Sequence, residues 1–269
     1  MPVHTQLRSH LRSIDRSRRS LTRPDRPEVF RLDGREWDLL DGVFAPPFSP
    51  STGVALELLH EVLGARDDTG RRPRSLLEIG SGTGVVAVTA ALAGCDRVVA
   101  TDINPRAVLN TRQNAARHGV TGRLRALAGD LFTPLARDER FDIVYWHSNF
   151  VRAPEDYTYR SDHERAYVDA GYAAHRRYLA ESARHVTAGG SVLLHFSDRG
   201  DVAGLRRLAR EHGRGLRVLA RRRVPEGLET VEHMLIEVTD RTTDFAPPGR
   251  TPALAPPPDR RKYRAHSAR

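Results

Sequence analysis

The chain has 269 residues, enough for one α/β domain with extensions and a full buried core, and its formal net charge is +9. Cys95 is the sole cysteine, so no intramolecular disulfide can form, and no apolar run approaches the ~20 residues of a membrane helix. The N-terminus lacks the apolar segment of a secretory signal, so a soluble, cytoplasmic protein with no membrane partner is expected.

Lys262 is the only lysine. An arginine bias of this kind follows from genomic base composition, and much of it lies in the two tails, so it says little for a nucleic-acid partner. Residues 1–43 read as a basic arm and a hairpin. In the arm, Leu7, Leu11 and Ile14 can form one stripe of a short helix packed on the domain surface, or an arm that guides substrate. Asp33-Gly34, flanked by alternating apolar runs, marks a hairpin turn within 29–40. The segment 42–53 is held extended by Pro46, Pro47 and Pro50, and Ser51 or Thr52 is placed to cap a helix over 54–63.

Residues 44–240 read as the main domain. Leu76, Leu77 and Ile79 form a short buried strand; Gly80, Gly82 and Gly84 form a turn that lets backbone approach a ligand; a helix follows over 85–93. A second strand over 98–102 ends in Asp102, placed to accept from vicinal ribose hydroxyls. Asn104 caps and Pro105 opens the next helix, which Gly119 stops. The strand over 123–128 leads to Gly129-Asp130-Leu131, where Asp130 can accept from an adenine amino group. A fourth strand begins at Phe141 and leads into the loop above it, a helix is expected over 164–186, and a fifth strand over 191–196. A helix over 201–212 and strands over 216–220 and 231–238 complete the sheet. The tail 241–269, rich in proline and arginine, reads as disordered.

This order predicts an α/β fold, a doubly wound, Rossmann-like sheet of seven mostly parallel strands with the seventh antiparallel. Two ligands fit the glycine turn. Gly82-x-Gly84-x-x-Ala87 with Asp102 matches a dinucleotide fingerprint and an NAD-dependent oxidoreductase. Glu78, two residues before the first glycine, repels a pyrophosphate and suits a cationic ligand instead.

The form Glu78-x-Gly80-x-Gly82-x-Gly84 resembles motif I of class I S-adenosylmethionine (SAM) methyltransferases. From about 29 to 238 the chain resembles the N-methylating branch that includes release-factor glutamine and ribosomal guanine N2 methyltransferases. The matching pieces are Asp102-Ile-Asn-Pro-Arg-Ala-Val, Asn110-Thr-Arg-Gln-Asn114, Gly129-Asp130-Leu131 and Ala188-Gly-Gly-Ser-Val-Leu-Leu194. The resemblance implies SAM as cofactor, contacted by Glu78, Gly80, Ser81, Gly82, Gly84, Asp102, Ile103, Asp130 and Leu131. The loop 42–53 would cover its methionine end.

In that branch the fourth strand ends in Asn-Pro-Pro-Tyr/Phe, whose asparagine and backbone carbonyl grip a planar nitrogen. Here Ser148-Asn149-Phe150-Val151 keeps the asparagine and an aromatic ring but neither proline. Asn149 is then the residue expected to hold the acceptor, Phe150 and Tyr157 to contact it, and His147 to serve as base for a protonated nucleophile. The acceptor expected is a nitrogen of a small molecule, amino acid or protein side chain. The alternatives are an RNA or DNA base, or a non-catalytic module that binds SAM or nucleic acid. No metal is expected.

Overall fold

The computed structural model describes residues 3–65, 70–226 and 229–240; the expected disorder of 241–269 lies outside the described residues. Helix α1 (Val3–Thr22) is followed by the hairpin of β1 (Val29–Leu32) and β2 (Arg35–Asp38). Asp33 and Gly34 both take positive φ, 52° and 71°, as the two-residue turn requires. A 3-10 turn, Pro46–Phe48, leads to α2 (Ser51–Gly64).

The sheet domain then runs β3 (Ser75–Ile79), α3 (Val85–Leu92), β4 (Arg97–Asp102), α4 (Pro105–Arg117), β5 (Leu124–Ala128) and β6 (Phe141–His147). A short parallel pair, β7 (Val151–Ala153) and β8 (Val168–Ala170), brackets a 3-10 turn, Asp162–Ala166. After it come α5 (Ala173–Glu181), β9 (Val186–Ser197), α6 (Val202–Glu211), β10 (Arg214–Glu226) and β11 (Glu229–Asp240). The large sheet has seven strands in the order β10-β11-β9-β6-β3-β4-β5. Strands β9, β6, β3, β4 and β5 pair in parallel, and β11 is antiparallel to both its neighbours. The expected doubly wound sheet, with its last strand reversed, is present.

Strand periodicity sorts the core onto two faces. Leu76, Val98, Ile143 and Leu193 face one cluster, which α2, α3 and α4 cover. Leu77, Val99, Val144 and Leu194 face the other, under Tyr178 and Leu179 of α5 and Leu205 and Leu208 of α6. Two asparagines of α4 fasten the N-terminal hairpin to the domain. The Asn110 side chain accepts from Leu40 N and donates to Asp38 O; that of Asn114 accepts from Asp38 N and donates to Thr83 O. Both are fully buried, so satisfied amides here hold the end of β2 and the glycine turn together.

Several sequence expectations change. Residues 164–186 do not form one helix. Gly171 and Tyr172 take positive φ, 58° and 59°, which breaks the segment, and Asp169 accepts from Ala174 N and His175 N to start α5 afresh. Ser51 and Thr52 lie inside α2 rather than capping it; the cap is Pro50, and the Ser51 hydroxyl bonds that of Ser49 at 2.9 Å. The last two strands are longer than expected, because the arginines of β10 that break the apolar pattern pair across the ladder: Arg217 with Glu237, Arg221 and Arg223 with Glu232. In α1 the apolar stripe is only partly buried, with Ile14 packed on Val151, Ala153 and Val168. Leu11 is 58% exposed, whereas His10, Ser13, Ser17 and Ser20 are buried against the domain. The Leu7 side chain lies outside the described residues.

Gly84 carries a prediction. Its φ is 77°, and a Cβ there would sit 2.8 Å from the Thr111 Cα. Gly84→Ala is expected to cost about 2–4 kcal/mol from left-handed strain and overpacking, read as a lower urea midpoint. An unchanged midpoint would contradict the close approach of α3 and α4.

Candidate functional site

A cavity of about 650 Å³ opens at the carboxyl ends of β3, β4 and β6, a size usual for small-ligand sites. Its floor is the turn after β3. Gly80 N and Ser81 N both donate to Thr101 O, and Gly82 N donates to Asp102 Oδ2 at 2.9 Å. The other Asp102 oxygen accepts from Asn104 N at 2.8 Å. Two backbone N–H groups thus aim the carboxylate, while its remaining lone pairs serve the cavity it lines. A Cβ on Gly82 would meet no protein atom within 4 Å, so this turn presents bare backbone to the cavity.

Glu78, 2% exposed, reaches the same cavity and accepts from Ala87 N at 2.9 Å. Burial, together with the nearby Asp102, raises its pKa well above the usual carboxylate range. Burial likewise lifts Asp102 to about 6, against which the bonds from Gly82 and Asn104 act. Such a pair favours a ligand that brings positive charge and hydroxyl donors.

Ile103, 36% exposed, and Leu131, in a left-handed conformation at φ 52°, also line the cavity. Ser81 lines it too, with its hydroxyl accepting from Thr111 at 3.0 Å. Asp130 lines the cavity but is ion-paired to Arg177, so its carboxylate is already shared. Gly84 does not line the cavity and packs on Thr111. The segment 42–53 does wall the cavity, through Gly42, Phe44, Phe48 and Ser49 among others.

At the end of β6, the Asn149 amide donates through Nδ2 to the carbonyls of Arg165 (2.8 Å) and Val168 (2.9 Å). Its Oδ1 is buried with no hydrogen-bond partner, and the residue lines the cavity. Both Nδ2 partners are carbonyls, which fixes which end of the amide is the donor. Phe150 lines the cavity as well, and its carbonyl accepts from the Tyr172 hydroxyl at 2.7 Å. An orphaned buried acceptor is costly, by roughly 1–3 kcal/mol, unless a ligand supplies the donor.

Two expected residues do other work. Tyr157 does not line the cavity; its hydroxyl donates to Glu164 at 2.9 Å and its ring lies 5.5 Å from that of Tyr159. His147 lines the cavity but stacks on His195, ring centroids 4.5 Å apart, and burial beside the imidazoles pushes it down to about 3. A base that weak stays neutral and takes a proton poorly at neutral pH, so the geometry does not suit it to general-base work. Sequence reasoning also missed the cationic wall. Arg16 and Arg19 of α1 and Arg23 just after it line the cavity, with Arg199 and Glu226. The spacing of Arg16 and Arg19, i and i+3, is the one local sign of a shared helix face.

Comparison with known proteins decides the class. The family model described as ribosomal protein L11 methyltransferase matches residues 49–147, the segment that builds the glycine turn, Asp102 and β6. Over that segment the chain is similar to SAM-dependent methyltransferases, and its fold is theirs. A release factor glutamine methyltransferase of Bordetella pertussis is 29% identical over 219 residues, 76% of each chain. The L11 methyltransferase of Geobacter sp. (strain M21) is 32% identical over 117 residues, 43% of this chain. The chain spans 38% and 37% of the first two L11 methyltransferases it matches. Among solved structures, a 16S rRNA N2 methyltransferase of T. thermophilus in complex with AdoMet and guanosine aligns with TM-score 0.51 and 22% identity. That alignment covers 79% of this chain and 50% of the other. A methyltransferase of Pyrococcus furiosus aligns with TM-score 0.51 and 17% identity, over 76% and 89% of the two chains. Among the described residues, no group of side chains suited to a metal ion occurs, and no helix is long and apolar enough to cross a membrane.

Proposed function

We propose that this protein transfers a methyl group from SAM to a nitrogen of a small molecule, an amino acid or a protein side chain. One observation carries the acceptor assignment. Asn149 lines the cavity and is anchored through its Nδ2, and its buried Oδ1 has no partner, which an N–H of an acceptor reaching it would satisfy. The match to a release factor glutamine methyltransferase over 76% of each chain supports the same reading.

The cavity residues fit SAM. Asp102 would accept from its ribose hydroxyls, Ile103 and Leu131 would flank its adenine, and Asp130 would remain able to accept while paired to Arg177. Gly80, Ser81 and Gly82 would let its methionine portion lie close to backbone, and Glu78 would face its positive charges. A buried acid at Glu78 disfavours a pyrophosphate, and with it the dinucleotide reading. Bound SAM supplies a methyl group already activated by a sulfonium, so the chain's part is in-line positioning of the acceptor lone pair. Asn149 would fix the nitrogen by accepting its hydrogen, and Phe150 would pack on its carrier. Neutral His147 shapes the wall and leaves proton loss to solvent.

The carboxylates make binding pH-dependent. Ribose donors and a cationic ligand prefer ionised Asp102 and Glu78, so binding lowers pKa values that burial raises in the free site. The Asp102 contribution to SAM affinity should therefore be present well above its free-site value, about 6, and be lost as pH drops below it. Calorimetry in buffers of different ionisation heat should also show proton release on binding. Affinity that stays flat from about pH 5 to about pH 7.5 would separate Asp102 from the ligand.

A further inference from the structure

The acceptor end of the cavity is walled by α1 and by the loop that follows β9. Helix α1 packs on β7, β8 and the intervening 3-10 turn, and Ser17 Oγ bonds His163 Nδ1 at 2.7 Å in a buried contact. Ser9 Oγ donates to Arg199 O at 3.3 Å, tying the helix to the second wall. That wall adjoins the acceptor-holding loop. A Cβ on Gly200 would run into the Phe150 carbonyl, and Asp201 N and the Phe150 carbonyl share the Tyr172 hydroxyl.

The charges of these walls do not balance. Arg19 is paired with Asp15, and Arg23 with Asp25. Arg199 is paired with Glu226, whose other oxygen lies 3.0 Å from His233 Nε2. Arg16 has no such partner. Its guanidinium donates to Ser13 Oγ at 2.8 Å and makes no ion pair among the described residues. Burial and the neighbouring Arg199 charge hold its pKa below the usual arginine range, which Glu226 only partly offsets. Among the arginines of these two walls that line the cavity, Arg16 alone makes no ion pair, and the carboxylate of Glu226 beside it already engages Arg199 and His233.

We infer that the methyl acceptor is a small molecule carrying an anionic group, a carboxylate or a phosphate, which Arg16 binds with Arg199 beside it. The inference rests on the methyl-transfer reading and deepens it. A planar fork of donors matches either group, and such charge-assisted bonds are stronger than neutral ones. Arg16 and Arg199 both line the cavity of about 650 Å³, a size that suits a ligand that enters whole. Arg16 is in this account a specificity residue, remote from the reacting atoms.

The test uses the full chain, SAM labelled in its methyl group, and a small-molecule extract offered beside protein and nucleic-acid fractions. The label is expected in the small-molecule fraction and on an anion exchanger run at high pH, where amines are neutral. Loss of retention after phosphatase assigns a phosphate; retention unchanged by phosphatase assigns a carboxylate. Arg16→Ala should lower transfer at limiting extract by about tenfold or more, recover at high extract, and leave SAM affinity unchanged; Arg16→Lys should fall between. Label in a neutral or cationic small molecule, in protein or in nucleic acid would overturn the inference. So would an Arg16→Ala variant that matches the parent at limiting extract. Label in no fraction, with SAM still bound, would strike methyl transfer itself, and the inference would fall with it.

Discussion

Asn149→Ala is expected to lower methyl transfer by about a hundredfold while SAM affinity stays near that of the parent. The side chain has two separable tasks. Its Nδ2 ties the carbonyls of Arg165 and Val168, so its loss loosens the 3-10 turn and β8. At about 0.5–1.5 kcal/mol for each bond, that is a modest loss of stability. Its Oδ1 contributes nothing to the fold, because it has no partner there. Removing it relieves a desolvated acceptor and forfeits the contact proposed for the acceptor nitrogen. A melting curve only slightly lowered, with turnover nearly abolished, is the pattern that separates a positioning role from a structural one. Normal turnover would mean that Oδ1 holds no acceptor.

The second large effect is at Asp102. Asp102→Ala should weaken SAM binding by about 1.5–3 kcal/mol, roughly ten- to a hundredfold in Kd, the usual value of hydrogen bonds to a charged group. The carboxylate is not a bare strand-end acid. It holds Gly82 N and Asn104 N, so the alanine change frees two backbone donors at the turn and at the start of α4. Asp102→Asn places an NH2 against one of those N–H groups and should also bind weakly, although it keeps the shape. Calorimetry with SAM reads both, and binding equal to the parent in the alanine variant would end the ribose assignment.

What could be read from the sequence was whatever a residue type forces on the backbone around it. Gly80, Gly82 and Gly84 all take positive φ, and Asn104 caps α4 by accepting from Arg106 N, with Pro105 in its first turn. Those requirements are local and appear wherever they apply. The alternation of Leu76 and Leu77, or of Val98 and Val99, between the two faces of the sheet is equally local. Misreadings arose where long-range partners override a pattern. The α1 helix buries serines because Ser17 meets His163, and hydrophobic periodicity has no word for such a seam. The segment 164–186 has helical composition, but β8 finds β7 and Asp169 finds His175 at 2.7 Å, contacts no window of sequence contains. His147 looked like a base from its position at a strand end. Its stack on His195 and its burial, which decide its chemistry, depend on β9 lying beside β6.

At the site, the cofactor half was the more legible for the same reason: a glycine turn and a strand-end acid are single-segment devices. The acceptor half is assembled from α1, the end of β6, β8 and the loop after β9. Arg16 and Arg199 are 183 residues apart by their numbers, and only the fold brings them to one cavity.

The most direct measurement is the release of S-adenosylhomocysteine from SAM when the purified chain is supplied with a fractionated extract, with the Asn149→Ala variant alongside. The account predicts accumulation with the parent that needs both SAM and one fraction, and a fall of about a hundredfold in the variant. SAM bound by both proteins, with no S-adenosylhomocysteine formed by the parent in any fraction, would contradict it and leave a binding module in place of an enzyme.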